Sequence, residues 1–131
     1  MGFMRRRSNN HKGALREVLY AMDDVLAEVS LDALNARGEW DRAEFDEVLH
    51  RVEALTPAFQ AALVNYLSSG TQHDHTLVTA LLAVDRLSAA YTYWTRLFPP
   101  RQSDQAMFVL SLLHDLGDKV VTAIETCERS R

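Results

Sequence analysis

From Leu15 to Val29 the apolar residues fall at Leu15, Val18, Leu19, Met22, Val25, Leu26 and Val29, steps that keep returning to one side of a helix. The positions between them hold Arg16, Glu17, Asp23, Asp24 and Glu28. One face of this helix therefore needs burial and the other needs water. An isolated helix of that kind is only marginally stable, so the stripe constrains the chain to fold by packing helices on one another.

The remaining sequence supplies the partners. Gly38 is expected to end the first helix or lie just beyond its end. Asp41 with Glu44 forms a capping pair, and Phe45, Val48, Leu49, Val52 and Leu55 continue as a second stripe, giving a helix over about 41 to 54. Thr56-Pro57 has the chemistry of a new start, with Phe59, Ala62, Leu63, Tyr66 and Leu67 as the buried side and Ser68-Ser69-Gly70 as the stop. A fourth helix begins at Asp74 or His75 and carries Leu77, Leu81, Val84, Leu87, Tyr91, Trp94 and Phe98 up to Pro99-Pro100. Ser103 or Asp104 caps a fifth, with Val109, Leu110, Leu113, Leu116, Val120, Ile124 and Cys127 inward and Phe108, Leu112 and Val121 widening the stripe.

The fourth and fifth helices are apolar over much of their circumference and are expected to form a central antiparallel pair. No strand or hairpin pattern competes. The expectation is an all-α, single-domain, up-and-down bundle of four to five helices over residues 12–131, preceded by a flexible basic tail at 1–11.

Composition fits one core: 131 residues, 47% apolar and 24% charged. The lone Cys127 leaves no disulfide framework and points to a reducing, cytoplasmic setting. No secretory leader pattern follows Met1, and no apolar run approaches the roughly 18 residues of a membrane span. The net charge of −4 is unevenly spread. Residues 1–16 hold five basic groups (Arg5, Arg6, Arg7, Lys12, Arg16) and no acid, whereas residues 17–55 hold eleven acids against Arg37, Arg42 and Arg51.

Several strings could carry chemistry. Leu112-Leu113-His114-Asp115-Leu116-Gly117-Asp118-Lys119 resembles the adjacent His-Asp signature of the HD-domain phosphohydrolases. That resemblance covers about eight residues and implies an all-helical fold in which His114 and Asp115 bind a divalent ion that activates water against a phosphoester. His73 or His75 would serve as the family's upstream histidine. The downstream aspartate has no counterpart, because the twelve residues after Lys119 contain no Asp and Asp118 lies one turn from His114. The plainer reading puts His114, Asp115 and Asp118 on a wet helix face, with Gly117 marking a close helix approach or a local break.

Gln72-His73-Asp74-His75 places two imidazoles at a helix entrance, where a third ligand such as His50 would complete a zinc site; Asp74 as a helix cap is the simpler role. Glu47-Val48-Leu49-His50 matches one copy of a motif that di-iron bundles need twice. Cys127 has no histidine base nearby in sequence and reads as a core thiol.

Arg5, Arg6, Arg7 and Lys12 form an anion-binding candidate able to contact phosphates, but the acidic helices that follow would repel a nucleic acid as principal partner. Trp40, Tyr93, Arg96 and Leu97 are the interface candidates, since aromatic residues and arginine dominate binding hot spots. The sequence calls for no cofactor. The function expected is that of a non-enzymatic helical protein that binds another protein as regulator, adaptor or inhibitor, alone or as a homo-oligomer. A metal-dependent phosphohydrolase centred on His114 and Asp115 is the alternative, and a nucleic-acid role for the tail a third.

Overall fold

A computed structural model describes residues 2–29, 42–69, 73–97 and 103–129. They form four helices and, among the described residues, no strand: α1 (Gly2–Ala27), α2 (Arg42–Leu67), α3 (His75–Leu97) and α4 (Ser103–Arg129).

The stripe of α1 is buried as its spacing requires. Leu15, Leu19, Met22, Val25, Leu26 and Val29 lie in the core and Val18 packs against it. The helix ends at Ala27, earlier than a stop at Gly38 implies, with Glu28 N and Val29 N donating to the carbonyls of Val25 and Leu26 at 3.2 and 3.1 Å. Such three-residue bonds tighten a last turn and satisfy its carbonyls. Gly38 lies outside the described residues, as does Asp41. At the other end the backbone is helical from Gly2, so α1 takes in the stretch expected as a tail.

Among the described residues the second and third expected helices are one, because Thr56-Pro57 is inside α2. The proline removes the amide that would bond to the Glu53 carbonyl, a defect worth about 3 kcal/mol in a helix interior. Burial outweighs it. Val52, Thr56, Phe59, Leu63 and Tyr66 continue one buried row across the proline, and each large apolar side chain contributes roughly 1.5–3 kcal/mol. Thr56 turns its hydroxyl back to the Val52 carbonyl at 3.1 Å, while the proline ring is exposed.

In α3, Asp74 accepts from Thr76 N at 2.9 Å through its carboxylate and from Val78 N at 3.0 Å through its carbonyl, the cap expected of it. Leu77, Leu81, Val84 and Tyr91 are buried; Phe98 lies outside the described residues, and so does the side chain of Trp94. Helix α4 buries Val109, Leu113, Leu116, Val120, Ala123, Ile124 and Cys127. Phe108 and Val121 are exposed, so the stripe is narrower than expected there, and Leu67 in α2 is likewise exposed rather than buried.

Helices α3 and α4 share the most extensive packing, α1 packs against both α2 and α4, and α2 and α3 meet more lightly. The core is thus organised as much around α1 as around the last two helices. Helices α1 and α4 run antiparallel: a Cβ on Gly117 would lie 3.9 Å from that of Leu26, whereas Tyr20 bonds Glu128 in the last turn of α4. Gly117 causes no break, and the space beside it fits an ordinary contact with α1. No helix among the described residues is long and apolar enough to cross a membrane.

Candidate functional site

The wet face of α4 carries the His-Asp string. Its core-facing residues are Leu113 and Leu116, and helical geometry turns His114, Asp115 and Asp118 away from them into water. His114 Nε2 lies 3.7 Å from Asp118 Oδ2 one turn on, with 46% and 71% of the side chains exposed. The histidines proposed as upstream ligands are not gathered with them. Among the described residues no three His, Cys, Asp or Glu side chains lie close enough to hold one metal ion.

His73 and Asp74 instead join two helix ends. The imidazole Nε2 of His73 is 3.1 Å from the carbonyl of Leu67, the last residue of α2. A carbonyl only accepts, so Nε2 carries the proton and satisfies an orphan group of that helix terminus. The ring packs on Tyr66, centroids 4.6 Å apart and tilted by 47°. Its Nδ1 is buried and, among the described residues, has no hydrogen-bond partner. Asp74 caps α3 next door, while His75 is exposed and lends its carbonyl to Thr79 Oγ1 at 2.9 Å. His50 is exposed on α2.

A second group of polar residues forms where α1 crosses the last turns of α4. Tyr20 donates its hydroxyl to Glu128 Oε1, and that bond, ahead of burial, raises the phenol above its usual range. Cys127 is buried beside them. Burial pushes its thiol up, the positive charges of Lys12 and Arg16 pull it down, and the net direction is up. Tyr66 is raised chiefly by burial and feels the same thiol and Asp74. The arrangement keeps Cys127 as a protonated, shielded thiol, the opposite of a reactive thiolate.

Tyr91 is fully buried and its hydroxyl donates to the Leu49 carbonyl at 3.3 Å, tying α3 to α2. Thr95 Oγ1 reaches Glu53 Oε1 at 3.3 Å in the same seam. Burial drives the Tyr91 phenol strongly upward.

Of the interface candidates, Tyr93 is 59% exposed. Trp40 lies outside the described residues, and so do the side chains of Arg96 and Leu97 and those of Arg5, Arg6 and Arg7, whose backbone is helical. Lys12 is half-buried on the flank facing Cys127. The α1–α4 junction was missed by sequence reasoning. Its one local signal is Lys12, Arg16 and Tyr20 at steps of four beside the buried stripe, which marks a flank and leaves the partner helix unnamed.

No protein-family model, curated protein or solved structure matches this chain.

Proposed function

We propose that the chain is a non-enzymatic, cytoplasmic protein, a single-domain up-and-down bundle that acts by binding another protein as a regulator, adaptor or inhibitor. One observation carries this reading: the outward face of α3. Leu82 and Tyr93, 39% and 59% exposed, are eleven residues apart and so return to the same side of the helix. Arg86 and Ala89 are exposed between them. The core-facing side of α3 is formed by Leu77, Leu81, Val84, Ser88 and Tyr91, a different side of the helix.

An aromatic, an aliphatic and an arginine in one outward row have the composition of a binding hot spot. The fate of the ionisable groups agrees: His73 and Asp74 serve helix ends, and Cys127 is shielded. Affinity capture from cells that make the protein, comparing the native chain with Leu82→Glu/Tyr93→Ala, tests it. The double variant should keep its helical circular-dichroism spectrum and lose its partner. Equal capture by both chains would overturn the role of this face.

A further inference from the structure

Helices α2 and α3 follow one another in the chain yet meet lightly, while α1 with α2 and α3 with α4 pack extensively. The two run antiparallel, tied at one end where His73 meets the Leu67 carbonyl and at the other where Tyr91 meets that of Leu49. Ser88, Tyr91 and Thr95 stand at steps of three and four on one side of α3, and Tyr91 and Thr95 turn that side toward α2. Thr56 follows Glu53 by three residues on α2, where Glu53 meets Thr95. Thr56 and Ser88 therefore lie in the seam between its two ends. They are the two buried polar side chains among the described residues, 6% and 0% exposed. The Thr56 hydroxyl donates to the Val52 carbonyl at 3.1 Å, whereas that of Ser88 has no partner among the described residues.

Closing this seam is costly. A hydroxyl buried without a partner loses its hydration and gains nothing in return, and water reaching Ser88 restores what was lost. The bonds that oppose opening are weak at the Tyr91 end. Tyr91 Oη lies 3.3 Å from the Leu49 carbonyl and Thr95 Oγ1 3.3 Å from Glu53 Oε1, beyond the ~2.8 Å usual for a hydroxyl donor. Thr95 has one proton to donate, and its own helix competes for it with the Tyr91 carbonyl at 2.9 Å. The opposite end is held by the short connection between the helices, by the 3.1 Å contact of His73 with Leu67 and by its ring on Tyr66.

We infer that the bundle opens along this seam. The start of α2 and the end of α3 part, α1 stays on α2 and α4 on α3, and the α1–α4 contact serves as the hinge. Tyr91 is the clasp that holds the seam shut, and opening admits water to Thr56 and Ser88. This device goes beyond protein binding at the outward face of α3 and does not depend on it.

Thiol labelling of the full chain by a water-soluble aromatic disulfide tests it, with Cys127→Ala removing the native thiol and Ser88→Cys placing one in the seam. The inserted thiol should react roughly tenfold or more faster than global unfolding allows, with about half or less of the urea dependence of the unfolding transition seen by circular dichroism. Adding Tyr91→Phe should speed the reaction by roughly threefold or more. If Ser88→Cys does not fold, Val84→Cys, buried one turn earlier on the same side of α3, takes its place in the assay. Labelling that requires the full urea dependence of global unfolding would overturn the opening, and a rate indifferent to Tyr91→Phe would overturn the clasp.

Discussion

The outward face of α4 and the junction where α1 crosses the last turns of that helix hold similar chemistry, ionisable groups within a few residues of one another, but in different surroundings. His114, Asp115 and Asp118 are neighbours in sequence and share a wet surface on which their charges are screened. Lys12, Arg16 and Tyr20 meet Cys127 and Glu128 from more than a hundred residues away, around a buried thiol. Local adjacency produced the more suggestive motif, and long-range packing produced the more perturbed groups. Burial, more than residue type, decides which ionisable groups are coupled to the fold.

The largest expected effect belongs to the packing behind the junction. Leu19 is fully buried in α1, one residue from Tyr20, and Leu19→Ala should cost about 2–5 kcal/mol in urea denaturation. A loss below about 1 kcal/mol would mean that α1 is not seated on α4 as described, and the contrast between the two regions would collapse.

Next in size is a gain on α4 itself. Gly117 faces α1, with buried Leu116 before it and exposed Asp118 after it, and its missing Cβ would enter an ordinary 3.9 Å contact with Leu26. Gly117→Ala should therefore stabilise the chain by about 1 kcal/mol, the helix-propensity difference with no clash set against it. A destabilised variant would show that the helices approach more closely there and that the glycine is needed.

The stripes were legible because burial imposes a period that survives without any knowledge of the partner. Leu15 to Val29 in α1 and Val109 to Cys127 in α4 follow it almost residue for residue. The Thr56-Pro57 boundary was misleading because it is a local signal, and in α2 the buried row from Val52 to Tyr66 overrode it. The junction was hidden because nothing in the spacing of Lys12, Arg16 and Tyr20 names the helix that meets them. Phe108 and Val121 show the complementary failure: apolar residues beside a stripe read as part of it although the packed face is narrower.

A titration sharpens the contrast further. Folding raises the Cys127 thiol above its ordinary 9.0 and the Tyr91 phenol above its ordinary 10.0, so the folded chain holds both protons more tightly than the unfolded one. The stability this confers is whole below the ordinary values and is lost as pH rises through them toward the raised ones. Unfolding free energy measured against pH should be flat near neutrality and fall in the alkaline range. Cys127→Ala should remove the earlier part of that fall and Tyr91→Phe the later part. An unchanged alkaline slope in both variants would place these groups in water.

The smallest effect is expected where the sequence looked most chemical. His114 and Asp118 form an exposed pair one turn apart at 3.7 Å, a geometry worth at most about 0.5 kcal/mol and weakened further by salt. His114→Ala and Asp115→Ala should each leave the unfolding free energy within about 0.5 kcal/mol of the native chain, and manganese, zinc or magnesium should not raise the melting temperature of either variant or of the native protein. A ligand that binds only the folded state must raise that temperature by mass action, so the measurement reads metal binding directly and needs no knowledge of a substrate. If a divalent ion stabilised the native chain and His114→Ala abolished the gain, the wet face of α4 would be a site after all, completed by residues from outside that helix.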